Sequence, residues 1–220
     1  MNNKQTISLV LCSLVFLLAV VGSVFCFAEI TFVETKIIAH GIEFFKFFTV
    51  QSNVLAGITA LIYIIFLVRE QKTQKKIPIW VFILRFIATI DLIITFLVVA
   101  LFLGFITDEG YLSMFVNANF LFHLAIPIIN FASFVFYENA PKFKFGYTFW
   151  GITHLILYGI FYIIVVLLHY QNGTVPHEYD WYAFAQKGLV IAFVCAIVVW
   201  GLGYLVSFML YKINNRKKQD

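Results

Sequence analysis

Between Ile7 and Ala28 the chain carries no charged side chain, and five more long apolar runs follow. About 20 residues rising 1.5 Å each cross a hydrocarbon layer of ~30 Å. Inside that layer no water satisfies backbone N–H and C=O groups, so a run of this length must be helical. The runs fall near 7–28, 47–68, 79–105, 115–137, 147–168 and 188–211. Charged residues make up 12% of the 220 and mean hydropathy is +0.95, whereas soluble domains carry about 25% charge. The expected fold is therefore all-α. It is a polytopic membrane protein with six transmembrane helices in one bundle, forming a single domain over 1–220. The first run exceeds the ~7–15 residues of a signal-peptide core, so it reads as a retained first helix.

The charges between the runs set the expected orientation. Most of the 15 Lys and Arg lie at Lys4, in the loop from Arg69 to Lys76, at Lys142 and Lys144, and in the tail with Lys212, Arg216, Lys217 and Lys218. The other three loops carry Lys36, Lys46 and Lys187 among Glu29, Glu34, Glu43, Asp108, Glu109, Glu178 and Asp180. The positive-inside rule then puts both termini in the cytoplasm. The net charge of +4 reflects this topology and does not indicate nucleic-acid binding. Trp181 and Tyr182 fit an outer interfacial belt, and Trp80 an inner one. Cys12, Cys26 and Cys195 have no metal or redox spacing, and His169, His177, Glu178 and Asp180 match no zinc pattern. No metal and no cofactor are expected.

Polar residues inside the runs are the candidates for function, because each needs a partner or a cavity in hydrocarbon. The second run opens with Phe47-Phe48-Thr49-Val50-Gln51-Ser52-Asn53-Val54-Leu55. Thr49, Ser52, Asn53, Ala56 and Ala60 share one small, polar helical face, which should look into the bundle. In the fourth run Asn119, His123 and Asn130 lie within about 40° of each other on a helical wheel. His123 should sit about 12 Å below the outer surface, at a depth like that of Thr49. A hydroxyl of Thr49 or Ser52 beside the His123 imidazole would pair a nucleophile with its base. Asn53, Asn119 or Asn130 would orient the histidine or hold an oxyanion. The plainer reading is a packing seam glued by hydrogen bonds. In the third run Arg85 and Asp91 stand about 120° apart, so they do not pair along the helix. Arg85 is expected to snorkel to the inner face. Asp91 needs a partner such as His154 or an Asn side chain of the second or fourth run. Such an acid suits proton-coupled transport. Gly203 and Ser207 form a small-xxx-small step that marks helix packing.

The stretch Thr49-Val50-Gln51-Ser52-Asn53, the Asp91-bearing third run and the His123-to-Pro127 spacing together resemble the bacterial six-helix family labelled Pr-six-Pr. The resemblance runs through nearly the whole chain in span order. A proline-aromatic stretch common in that family before its sixth helix is replaced here by Glu178-Tyr179-Asp180-Trp181-Tyr182-Ala183-Phe184. More remotely the layout is similar to the androgen-induced and androgen-dependent membrane proteins, six-helix hydrolases of fatty-acid esters of hydroxy fatty acids. That resemblance implies a threonine nucleophile at Thr49 and a histidine base at His123. It also implies a lipid-like ester substrate, while the bacterial resemblance implies residence in a bacterial plasma membrane. Ser52, Asn53, Asn119, Asn130 and Asp91 are the supporting residues expected from their place inside the runs. The alternatives are a proton-coupled transporter built around Asp91, Arg85 and His123, or a membrane scaffold or sensor with no catalysis.

Overall fold

A computed structural model describes residues 1–34, 39–107 and 109–216. Lys36, Asp108, Lys217 and Lys218 of the charge pattern above lie outside the described residues. Among the described residues the chain is helical, with no strand. Five helices are long and apolar enough to cross a membrane: α1 (Asn3–Phe27), α2 (Phe48–Thr73), α3 (Ile79–Leu103), α4 (Asn117–Tyr137) and the last helix, Leu189–Arg216. Between α4 and that last helix, here α6, lies α5 (Thr153–Leu168), which is apolar but shorter. Outward-facing Val10, Leu17, Val24, Ile65, Val190, Ile197 and Val198 are exposed. Apolar side chains exposed along whole helices fit a protein whose solvent is hydrocarbon.

Local chemistry sets where these helices begin and break. Asn2 caps α1: its side chain accepts from the Gln5 N–H, and the Gln5 side chain accepts from the Asn2 N–H. This capping box moves the start ahead of Ile7 by satisfying two orphan donors. α2 runs past the expected end at Val68 into the basic loop and stops at Gln74, whose backbone is left-handed (φ 60°).

The expected run at 147–168 is interrupted. A single turn, Tyr147–Trp150, precedes Gly151 and Ile152, and α5 then begins. The Ser207 hydroxyl donates to the Thr148 carbonyl at 2.8 Å, taking the acceptor that Ile152 N–H would use in a regular helix. Gly151 is where the neighbours press in. A Cβ there would stand 2.5 Å from Ser207 Oγ and 2.7 Å from Phe86 Cε1.

α4 alternates between α and π winding, with π turns at Leu121–Ala125 and Ser133–Tyr137. Pro127 accounts for the first one. Its ring clashes with the carbonyl four residues back, at His123, and it has no N–H to offer. The Ile126 N–H bonds Leu121 O instead of Phe122 O. The Phe122 carbonyl so released accepts from Asn53 Nδ2 at 3.1 Å, which ties α2 to α4.

The expected polar seam of α2 is buried: Ser52, Asn53, Ala56 and Ala60 are all 0% exposed. The snorkelling expected of Arg85 does not occur. Arg85 is fully buried, and its Nε and Nη2 donate to Glu138 Oε1 at 3.0 and 2.7 Å. Ser133 Oγ donates to the same oxygen, and Cys12 Sγ lies 3.3 Å from Ser133 Oγ. A carboxylate at the end of α4 is in reach, so pairing inside the bundle replaces the stretch to the surface.

Candidate functional site

A cleft of about 80 Å³ opens between the start of α2, the last turns of α3, α5, α6 and the loop that joins α5 to α6. α2 contributes Phe48 and Thr49; α3 contributes Ile94, Thr95 and Val98. α5 contributes Leu155, Tyr158, Gly159 and Tyr162, and α6 contributes Ala192, Ala196, Val199 and Trp200. Among the described residues no charged side chain lines it. Leu103, Ala196, Val199 and Trp200 are half-exposed at its rim, so the cleft opens sideways between helices.

The joining loop folds inward as a roof. Trp181 Nε1–H donates to Tyr158 Oη at 3.0 Å, and Tyr158 Oη–H donates to the Lys46 carbonyl at 2.7 Å. The Phe48 N–H donates to Tyr182 Oη at 2.8 Å, and the Tyr158 and Tyr182 hydroxyls lie 3.2 Å apart. Burial pushes Tyr182 up to about 12, so its hydroxyl keeps its proton at neutral pH. Buried Asp180 anchors the loop: it accepts from the Tyr162 hydroxyl, the Ala185 N–H at 3.0 Å and Gln186 Nε2 at 3.3 Å. These bonds draw the start of α2 below the loop rather than leaving it at the surface.

Helix periodicity sets a pair of titratable groups one turn away from the cleft lining. Asp91 stands one turn before Thr95 on α3, and His154 one turn before Tyr158 on α5, and neither lines the cleft itself. His154 Nδ1 lies 2.7 Å from Asp91 Oδ2, and the Phe48 ring stacks on the imidazole with centroids 5.5 Å apart. Asp91 is fully buried and its Oδ1 has no partner, whereas the His154 side chain is 26% exposed. Of the partners expected for Asp91, the structure selects His154.

The other candidate residues divide between the cleft and the α2–α4 seam. Thr49 is half-buried on the cleft wall, and its hydroxyl has no partner among the described residues. Ser52 Oγ lies 3.0 Å from Thr95 Oγ1 and donates to the Thr49 carbonyl. Asn53 Nδ2 donates to the carbonyls of both Thr49 and Phe122. His123 is buried in the first π turn of α4, with Nδ1 2.7 Å from the Met114 carbonyl and the ring edge-on to Phe115. A carbonyl only accepts, so Nδ1 carries the proton and Nε2 of the neutral ring holds the lone pair. No hydrogen bond joins Thr49 to His123 among the described residues, and His123 does not line the cleft. Asn130 Nδ2 donates to Thr89 Oγ1, which in turn donates to the Arg85 carbonyl. Asn119 is half-buried in the first turn of α4.

Asn53 therefore joins the segments that carry Thr49 and His123, while Asp91 and Asn130 belong to separate groups. Trp200 and Glu138 were not singled out by sequence as polar partners. A tryptophan in an apolar helix gives no periodic sign that its N–H is free. No family model matches the chain, and neither curated proteins nor solved structures give a match.

Proposed function

We propose that this protein is an intramembrane hydrolase of lipid-like esters, with Thr49 as nucleophile and His123 as base. The observation that carries the reading is a threonine hydroxyl with no hydrogen-bond partner among the described residues, on the wall of a laterally open cleft whose described lining is uncharged. Two features support it. Asn53 bridges the Thr49 and Phe122 carbonyls, which holds the two segments side by side. The Met114 carbonyl fixes the His123 tautomer that leaves Nε2 as the proton acceptor. In the first step Thr49 Oγ1 attacks the ester carbonyl carbon and its proton passes to Nε2. That proton then goes to the leaving alkoxide, and water releases the acyl group from Thr49. The reading requires the Thr49 side chain to turn toward Nε2 when a ligand fills the cleft. In the same proposal the chain crosses a bacterial plasma membrane six times with both termini cytoplasmic, α5 and the turn before it supplying the fifth crossing.

The test is activity-based labelling with an acyl fluorophosphonate in membranes. Wild type should form an adduct, and Thr49→Ala and His123→Ala should each lose it. Adduct formation that survives both substitutions excludes this site.

The Asp91–His154 pair favours a second reading, a proton-coupled transporter. A buried carboxylate against a partly exposed imidazole is suited to take up and release a proton. Arg85 is held by Glu138 rather than by this pair. Substrate accumulation in vesicles that needs a pH gradient and disappears in Asp91→Asn would favour transport over hydrolysis.

A further inference from the structure

Among the described residues, two polar atoms of the cleft lining lack a hydrogen-bond partner: Thr49 Oγ1 and Trp200 Nε1. The hydroxyls of Thr95, Tyr158, Tyr162 and Tyr182 are all engaged. An indole N–H is a donor and nothing else, and Trp200 is half-exposed, so a molecule in the cleft can reach this donor. The helix surface around Trp200 is shaped to admit the ring. A Cβ on Gly159, which also lines the cleft, would stand 2.6 Å from Trp200 Nε1. The bare glycine lets the indole lie against α5 with Nε1 next to Gly159, and both residues line the cleft.

We infer that Trp200 Nε1–H is the ligand-positioning donor of the cleft, and that the ligand it holds is a neutral, carbonyl-bearing acyl ester drawn from the bilayer. This deepens the hydrolase reading and rests on it for the reacting group. The occupant follows from the lining. With no charged side chain in the wall among the described residues, an ionic headgroup would lose its water without compensation. A pure hydrocarbon would leave the indole N–H unpaired. An ester carbonyl supplies the acceptor, and its chain fills the apolar remainder. The roof of Trp181 and Tyr182 closes one end, so the ligand enters through the half-exposed rim of α3 and α6 from the lipid side.

The test uses purified full-length protein in detergent, with two probes of similar length: methyl palmitate carrying a ¹³C carbonyl, and hexadecyl methyl ether, which has no carbonyl. Wild type should shift the bound ester's carbonyl stretch to lower wavenumber, as hydrogen bonding does. Trp200→Phe keeps the ring and removes the N–H. It should abolish that shift and weaken ester binding roughly threefold to tenfold, with ether binding unchanged. Retained ether binding shows that the variant is folded with its cleft intact. Gly159→Ala, which pushes the indole aside, should repeat the loss for the ester alone. An unshifted carbonyl in wild type, or equal binding of the ester by wild type and Trp200→Phe, overturns the assignment. So does a Trp200→Phe variant that binds neither probe, because the residue then only maintains the cleft. Ester binding with the shifted carbonyl but no turnover would retire the hydrolase reading and leave this one standing.

Discussion

Arg85 and Glu138 show how a charge is kept inside this bundle. The guanidinium makes two bonds to one carboxylate oxygen, and both side chains are fully buried. Two bonding groups remain over, Arg85 Nη1 and Glu138 Oε2, so the pair is incompletely satisfied. Its stabilising value is therefore small, but losing one partner is costly. Glu138→Ala should destabilise the protein by about 3–5 kcal/mol in detergent unfolding, and Arg85→Met combined with Glu138→Leu should recover most of that loss. A double variant as unstable as the single one would show that the pair is itself needed. This contact was not legible in the sequence. Glu138 follows the fourth apolar run and reads as a loop residue, and a bond between two helices leaves no periodic trace in either. The Asp91 partner was half legible, because counting residues from the inner ends of α3 and α5 puts His154 at a compatible depth. Choosing it over the asparagines took the coordinates.

At the scale of one helix, α4 has the most to explain. Pro127 stops a regular ladder, the π turn moves the Ile126 bond back to Leu121, and Asn53 takes the carbonyl left over. Each step depends on the one before, so the residues should not behave independently. Asn53→Leu should cost about 1 kcal/mol, the usual size of a hydrogen bond between membrane helices. Pro127→Ala allows the regular ladder to re-form, which withdraws the Phe122 carbonyl from Asn53. The two substitutions together should then cost less than their separate effects, as measured by a double-mutant cycle of unfolding free energies. Strict additivity would mean that the proline and the asparagine are unconnected. The proline was visible in the sequence, and so was the inward-facing polar side of α2. The winding change that joins them was not, because apolar periodicity does not separate 3.6 residues per turn from a local π turn.

At the scale of the whole molecule, the loop between α5 and α6 matters most for the candidate site. It spans the mouth of the cleft through Asp180, Trp181 and Tyr182, and Asp180 alone accepts from three groups. Asp180→Ala should loosen the loop without unfolding the bundle. Amide exchange should rise across residues 170–187 while the helices keep their protection. Faster exchange throughout α2 and α5 would instead mean that the loop is part of the core. Helical class and the long apolar helices were plain from run length, since hydrocarbon leaves so few alternatives. The cleft was not, because it depends on how far a polar-aromatic loop sinks between helices, and loop packing has no repeat to read.

The sideways opening of the cleft sets the units in which its occupancy is counted. On the proposed reading, a molecule that arrives through the rim of α3 and α6 is delivered by two-dimensional diffusion, so saturation follows its mole fraction among the surrounding lipids. Diluting the same amount of compound with inert vesicles would empty the protein, whereas adding buffer would change almost nothing.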